Sequence, residues 1–191
     1  MDESVLAAMA RWPNVPAVFG WLGLDRRGNW RLRGEPVDHP GLRDFLGRNY
    51  ASDESGRFFV QNGPQRVFVA LAYTPWVLRL EDEALIRHDR RPFAEPRQAL
   101  VDDLGSLLLL GDAGVALVDD RDLPAMLDRL CDDHGRRLPD ARVEAALTGD
   151  TRACRILVDG RSLPLEAITH EAVAVRFGFE PDPRPPGDGG H

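Results

Sequence analysis

The chain contains no lysine, so all 24 of its basic residues are arginine. This absence excludes a Schiff-base lysine, a lysine general base and the lysine of a phosphate-binding loop. Only two cysteines are present, Cys131 and Cys154, and their spacing gives no sign of a disulfide framework. No apolar run approaches the length of a membrane span, and the first residues lack the pattern of a signal peptide. We therefore expect a cytoplasmic protein.

Negative charge prevails among the ionisable residues. The net charge is −7 and the isoelectric point is near 5.2. This balance argues against nucleic acid and anionic membranes as partners. The 191 residues are enough for a single hydrophobic core that needs no disulfide or metal to hold it together.

The sequence carries no recognisable catalytic motif. It has neither a Gly-x-Ser-x-Gly nucleophile elbow nor a glycine-rich phosphate loop between a strand and a helix. Cys131-x2-His134 has the spacing of metal ligands, and Cys154 or His170 could join it. Cys131 follows an apolar helix face, however, where a buried thiol is ordinary. We therefore predict no catalytic residue, no metal site and no cofactor.

Strand and helix patterns alternate along the chain. A short helix at Ser4–Met9 is followed by the prolines of Trp12–Pro16, which break it. Asp38 and Asp122 each precede a proline and an apolar pattern of helical spacing, and both are predicted helix N-caps. Apolar runs between turn-forming residues predict strands at Phe19–Leu24, Trp30–Arg33, Arg57–Gln61, Arg66–Leu71, Trp76–Glu81, Leu85–His88, Leu107–Leu110, Val115–Val118, Arg155–Val158, Ser162–Leu165 and Val173–Phe177.

These elements predict an α+β fold with a mainly antiparallel sheet, built from repeated hairpin-plus-helix units with the helices on one side. Leu24-x3-Gly28-x-Trp30-x-Leu32 matches Leu110-x3-Gly114-x-Ala116-x-Val118, and a capped helix follows each pattern. The match predicts two repeat-related halves, at about residues 17–88 and 104–178. The alternative is a chance match between two common hairpin-then-helix units.

The predicted domain ends near residue 180. Residues 1–180 carry the strand and helix patterns and are expected to form a single α+β domain. Residues 181–191 are rich in proline and glycine and are predicted to be a disordered tail.

The most distinctive stretch combines polar turn residues with aromatic residues. Asn62, Gln65 and Arg66 surround a tight-turn composition, and Tyr73 and Trp76 follow on the next turn. Two turns at the ends of one strand lie apart in a simple meander. If both approach one groove, they offer amides, a guanidinium and two rings to a small polar or anionic ligand. The alternative is ordinary turn chemistry with Trp76 as a core anchor.

Three functions stay open at this point. We favour a non-enzymatic regulatory module that binds a small ligand or a protein through the five residues above. The second is a hydrolase whose scattered Asp119, Asp120, Asp122 and His134 converge in a cleft, although a solvated loop with an N-cap explains the same carboxylates. The third is a homodimeric scaffold that uses exposed aromatic residues as its interface.

Residues Arg11–Arg79 resemble a family of uncharacterised proteobacterial proteins. The resemblance rests on Arg11–Pro16, Gly20–Leu22 with Leu24–Trp30, Gln61–Arg66 and Tyr73–Trp76. The hairpin Asp25–Leu32, with Gly34–Pro36, is also similar to the opening of a wider family of unknown function. That family's fold is built from repeated α+β motifs, and signal transduction has been suggested for it. The resemblance implies a repeat-derived fold and supplies no catalytic residue.

Overall fold

The computed structural model describes residues 1–11 and 15–185, apart from the side chain of Met9. Two segments lie outside this part: residues 12–14, where prolines are predicted to end the first helix, and residues 186–191 of the predicted tail. Contacts divide the chain into two units: the first comprises Met1–Pro75 and the chain from Gly178 onward, and the second comprises Trp76–Phe177. The chain thus returns to its first unit near its end, which the predicted halves did not anticipate.

The first unit contains a six-stranded sheet. Its elements are α1 (Glu3–Arg11), β1 (Val18–Leu24), β2 (Trp30–Leu32), β3 (Glu35–Pro36), α2 (Pro40–Arg48), β4 (Tyr50–Ser52), β5 (Phe58–Asn62) and β6 (Gln65–Leu71). The strand order is β3-β2-β1-β6-β5-β4, and β1 runs parallel to β6 while the other neighbours are antiparallel.

The second unit contains an eight-stranded sheet. Its elements are β7 (Trp76–Glu81), β8 (Ala84–Arg87), β9 (Gln98–Asp102), β10 (Leu107–Gly111), β11 (Gly114–Val118), α3 (Leu123–Leu127), β12 (Leu130–Cys131), α4 (Asp140–Leu147), β13 (Arg155–Val158), β14 (Arg161–Ile168) and α5 (Ala172–Phe177). The order is β12-β13-β14-β9-β10-β11-β7-β8, with parallel pairs β7/β11 and β9/β14. Both sheets are therefore mixed: most neighbouring strands pair antiparallel, in line with the expected mainly antiparallel sheet, but the parallel pairs in each sheet were not predicted.

Two local predictions are wrong. Val173–Phe177 belongs to α5 and is not a strand: Val173 is buried but Val175 is 86% exposed. A short run of alternating apolar residues fits either period, so its pattern could not decide. The N-cap of α2 is His39 and not Asp38, because the His39 Nδ1 accepts the Leu42 N–H at 3.2 Å.

Each sheet has its own buried core. In the first unit the alternating residues Leu22 and Leu24 of β1 and Val69 and Leu71 of β6 are buried on one face, where Trp30 joins them. In the second unit consecutive residues of β10 are buried, which requires cover on both faces. No helix in the described part of the chain is long and apolar enough to cross a membrane.

One turn occurs four times in the described part of the chain, and we call it the Asp turn. It has the sequence Asp-x-x-Gly-x, and the aspartate Oδ1 accepts the backbone N–H groups of the second and fourth residues after it. The glycine φ lies between 74° and 78° in all four copies, a conformation that only glycine adopts without strain. The turns follow β1, β4, β9 and β12 and begin at Asp25, Asp53, Asp102 and Asp132.

The Asp turns mark a topological repeat. In the first unit a three-stranded meander, a helix and a second meander end with β6 parallel to β1. In the second unit β9–β11, α3 and β12–β14 follow the same path, with β14 parallel to β9. This topology aligns β1 with β9, whereas the sequence match had paired the β1–β2 hairpin with the β10–β11 hairpin.

Candidate functional site

A groove of about 340 Å³ lies at the carboxyl ends of the parallel strands β1 and β6 in the first unit. Gly23 and Ala70 form its floor. They are direct partners in the strand pairing, and Gly23 also pairs with Arg31 of β2. Because neither floor residue has a side chain larger than a methyl group, the sheet surface stays open at this point.

The Asp25 turn forms one wall of the groove. The Asp25 Oδ2 accepts a hydrogen bond from the Arg31 Nη2 at 3.1 Å, and the Oδ1 accepts the Asn29 N–H at 2.9 Å. Burial raises the pKa of Asp25, but the hydrogen bonds from Asn29 and Arg31 outweigh it, and the pKa lies below its ordinary value. Asp25 is therefore an ionised structural group whose oxygens are already engaged.

The returning chain forms the opposite wall. The Leu71 N–H donates to the Pro181 carbonyl at 2.7 Å, and the Glu180 N–H donates to the Gly56 carbonyl at 3.0 Å. Asp182, next to Pro181, forms an ion pair with Arg184 at 2.8 Å. Part of the predicted tail thus lines the groove.

An exposed tryptophan stands beside the groove. Four residue steps of β1, from Val18 to Leu22, lie opposite only two steps of β6, so the strand bulges, and Gly20 at φ 72° lies within the bulge. Trp21 follows at 47% exposure and precedes the floor residue Gly23 by two positions, which places it on the same strand face.

Arg33 stacks on this tryptophan. Its guanidinium carbon lies 3.6 Å from the Trp21 ring centroid, and its backbone N–H donates to the Trp21 carbonyl at 2.7 Å. Arg33 sits at φ 52° in the turn between β2 and β3. Among the described residues its guanidinium has no hydrogen-bond or ion-pair partner, so its N–H donors are available to a ligand.

The predicted polar residues occupy the other end of β6. Asn62 and Gln65 are cross-strand partners at the β5–β6 hairpin, and the Gln65 Nε2 donates to the Pro16 carbonyl at 3.1 Å. The Arg66 guanidinium lies 4.6 Å from the Phe59 ring centroid. Hairpin and groove are separated by most of the length of β6, about 13–16 Å at 3.3 Å per residue.

The two predicted aromatic residues are buried. Tyr73 is 6% exposed, and the Arg26 guanidinium lies 4.6 Å from its ring centroid. Trp76 is 8% exposed, donates from Nε1 to the Ala113 carbonyl at 2.7 Å and packs against Arg87 at 4.3 Å. Tyr73 belongs to the first unit and Trp76 to the second. The burial of Trp76 fits the alternative in which this residue is a core anchor.

The carboxylates of the hydrolase alternative are held by arginines. Asp119 is fully buried and accepts the Arg121 Nε at 2.8 Å, while Asp122 accepts the Arg79 Nε at 2.5 Å. His134 is exposed and follows β12, which lies five strand positions from β11 in the sheet order. Five steps of about 4.8 Å put about 24 Å along the sheet between these groups.

The described residues offer no grouping of three His, Cys, Asp or Glu side chains that could hold a metal. Cys131 and Cys154 are both buried and free. Burial raises the pKa of the Cys131 thiol, which disfavours the thiolate that metal binding or nucleophilic attack requires.

Sequence reasoning missed the groove and its neighbours. The candidate site residues predicted from the sequence include neither Trp21 and Arg33 nor the groove residues Gly23, Arg31 and Ala70. Gly20 next to Trp21 was the one available signal, because an isolated glycine in a strand pattern often marks a bulge. The pairing of Gly23 with Ala70 had no local signal.

Comparison with known proteins gives a family. A family model named DUF2944, described as "Protein of unknown function (DUF2946)", matches residues 1–184. The chain belongs to the DUF2944 family. This confirms the resemblance to a family of unknown function, and no function is assigned to DUF2944 proteins by that description. No curated protein matches this DUF2944 chain.

Two solved structures are similar to this DUF2944 protein. One is a DUF1285 family protein from Silicibacter pomeroyi DSS-3, with 16% identity and a TM-score of 0.53, covering 88% of this chain and 97% of its own. At that identity the likeness shows the fold alone. The other is a DUF1285 family protein from Shewanella baltica OS155, with 11% identity and a TM-score of 0.43, covering 56% of this chain and 89% of its own.

Proposed function

We propose that this protein is a binding module that holds a small ligand in the groove above Gly23 and Ala70, beside Trp21 and Arg33. The observation that carries the proposal is the exposed Trp21–Arg33 stack next to an open floor of small residues. Tryptophan and arginine are the side chains most often found where binding energy is concentrated. A concave site with few polar groups is the usual form of a small-molecule site.

Stability alone does not account for this arrangement. A tryptophan at 47% exposure leaves much of its apolar surface in water, and a free guanidinium adds no ion pair. The bulge at Gly20 interrupts the β1 ladder at the same place. Features that cost stability and display side chains are expected at functional sites.

The predicted hairpin residues extend this proposal. Arg66 and Ala70 are four positions apart on β6 and lie on the same strand face. We assign Arg66, with Asn62 and Gln65, to a secondary contact for a longer ligand or a protein partner. Tyr73 and Trp76 are left out of the proposed site because they are buried. A regulatory role, a cytoplasmic location and a homodimer stay predictions from the sequence.

The test is a ligand-observed NMR screen of a fragment library against the full chain. Gly23→Val fills the groove and Trp21→Ala removes the ring, so both are expected to abolish the saturation-transfer signals of groove ligands. Val175→Ala, an exposed apolar change in the second unit, is the matched control and should leave the signals unchanged. Fragments that bind all three variants as well as the wild type would contradict the proposed site.

A further inference from the structure

We infer that the groove takes a small aromatic carboxylate with a single negative charge, bound by the guanidinium of Arg33 with its ring against Trp21. This inference rests on the proposed function and names its ligand class.

Arg33 does not line the groove itself, but beside the groove it is the cation available to a ligand, next to Trp21. Arg31 donates to Asp25 at 3.1 Å and to the Gly34 carbonyl at 3.4 Å. Arg184 is paired with Asp182 at 2.8 Å. Within the described chain Arg33 has no such partner, so an anionic group gains a charge-assisted hydrogen bond there without breaking an ion pair.

The stack on Trp21 orients the guanidinium. A face of the planar group rests 3.6 Å from the indole centroid. The N–H groups point outward in the guanidinium plane and therefore stay free while the face is covered. This geometry suits two parallel hydrogen bonds to the two oxygens of a carboxylate.

The walls limit the ligand to one negative charge. Asp25 is ionised, and its side chain is 22% exposed. Asp182 on the opposite wall is 62% exposed. A second negative charge on the ligand would face these carboxylates, and like charges at close range repel. A carboxylate therefore fits better than a phosphate monoester, which carries nearly two charges at pH 7.

The floor favours a flat ring. Gly23 and Ala70 present only backbone and one methyl group, so a planar body can lie close to the sheet. Trp21 is 47% exposed and lies two positions before Gly23 on the same face of β1, so its ring can offer an aromatic contact, which is worth more than its buried area alone.

The experiment titrates the full chain with 2-naphthoate, 2-naphthamide and 2-naphthyl phosphate. Calorimetry gives the affinities, and the NMR signals of the Trp21 indole N–H and the Arg33 Nε–H locate the binding. We expect 2-naphthoate to bind about tenfold more tightly than 2-naphthamide, and 2-naphthyl phosphate to bind more weakly than 2-naphthoate. Added salt is expected to reduce the difference between carboxylate and amide.

Two variants separate the possible failures. Arg33→Gln should bring the affinity for 2-naphthoate down to that for 2-naphthamide, whereas Arg161→Gln, which removes an exposed arginine of the second unit and is the matched control, should leave it unchanged. If 2-naphthamide binds with the same affinity as 2-naphthoate and Gly23→Val abolishes the binding of both, the ligand class is wrong but the groove is still the binding site. If the phosphate binds as tightly as the carboxylate, the single-charge rule is wrong. If no probe binds while the fragment screen finds ligands of the groove, the ligand class is wrong. If the probes bind and Gly23→Val has no effect on them, the proposed site itself is wrong.

Discussion

The parallel strand pair β1/β6 of the first unit and the pair β9/β14 of the second share the same turn, but they differ in the side chains that cover the strands next to it. In both, the first strand ends in an Asp turn. Two residues before the turn, the first unit has Gly23 opposite Ala70, whereas the second has Leu100 opposite Glu166. Leu100 is fully buried, and Glu166 forms an ion pair with Arg176 of α5 at 3.0 Å.

The aspartates of the two turns also have different partners. Asp25 holds Arg31 at 3.1 Å, while the Asp102 Oδ2 lies 3.5 Å from the Nδ1 of His170, just before α5. The Asp103 carboxylate accepts the His170 backbone N–H at 2.6 Å, which ties the turn to the helix. The comparison teaches that the turn is a structural unit common to both, and that side chains two residues away decide whether a groove stays open.

The largest effect is expected from Gly56→Ala, compared with Gly105→Ala in the second unit. Both glycines have positive φ, which costs an alanine about 1–2 kcal/mol. A Cβ on Gly56 would lie 2.1 Å from the carbonyl oxygen of Gly178, whereas one on Gly105 meets nothing within 4 Å. We expect the free energy of unfolding to fall by about 3–5 kcal/mol for Gly56→Ala and about 1–2 for Gly105→Ala. Urea unfolding followed by circular dichroism measures both, and equal losses would contradict the close approach of the returning chain.

The next effect concerns the two equivalent positions before the turns. Leu100→Ala removes a fully buried side chain and is expected to cost about 2–5 kcal/mol. Gly23→Val adds a side chain over an open floor, where a Cβ would meet the Ala70 carbonyl at an ordinary 3.4 Å, and should change stability by less than about 1 kcal/mol. Chemical denaturation checks both. A large loss in the free energy of unfolding for Gly23→Val would mean that other protein atoms already fill the groove.

A smaller, pH-dependent effect is expected at the Asp turns. Burial raises the pKa of Asp53, but hydrogen bonds from Arg57 outweigh it, so the pKa lies below its ordinary value. The stabilisation is therefore present above about pH 4 and is lost as pH falls through the lower folded pKa. Asp53→Asn should cost about 1 kcal/mol at pH 7 and progressively less in acid.

Asp132 provides the matching test in the second unit. The hydrogen bond from the Arg136 backbone is the largest cause of the lowered pKa of Asp132. The difference in the free energy of unfolding between the wild type and Asp132→Asn should therefore become smaller as the pH falls, as for Asp53→Asn. Urea unfolding at several pH values measures both series. A difference that grows in acid would show that the aspartates do not act through their charge.

The smallest effect is expected from Trp21→Ala. Trp21 is 47% exposed, whereas Trp76 in the second unit is 8% exposed and bonded to Ala113. Loss of the Trp21 ring should change the free energy of unfolding by less than about 1 kcal/mol, or the melting temperature by about 2–4 °C at most. Thermal unfolding measures this. A loss of several kcal/mol would show that Trp21 is a core residue and would contradict its proposed role as an exposed ligand contact.

Much of the secondary structure was readable from local patterns. The strands at Phe58–Asn62, Gln65–Leu71 and Trp76–Glu81 lie within one residue of their predicted bounds, because turn-forming residues separate them clearly. The Asp-x-x-Gly spacing of the four Asp turns was also present in the sequence but was not recognised as the repeat. The α5 helix was missed because six residues give too short a pattern to fix a period.

The candidate site was less predictable than the fold. Asn62, Gln65 and Arg66 stood out because their composition is local, and the structure places them together at one hairpin. The groove depends on Gly23 meeting Ala70, a parallel pairing between strands far apart in the chain. It depends as well on Pro181, which returns from the other end of the sequence. No local pattern encodes such contacts.

The sequence by itself determined the α+β character, the hairpins, the absence of lysine chemistry and the membership of a family of unknown function. Those properties follow from composition and short-range periodicity, which act on residues close in the chain. Tertiary structure alone decided which strands pair in parallel, which tryptophan is displayed and where a groove stays open. These outcomes depend on the burial of one segment against another, and the free energy of burial belongs to the pair of surfaces and not to either segment.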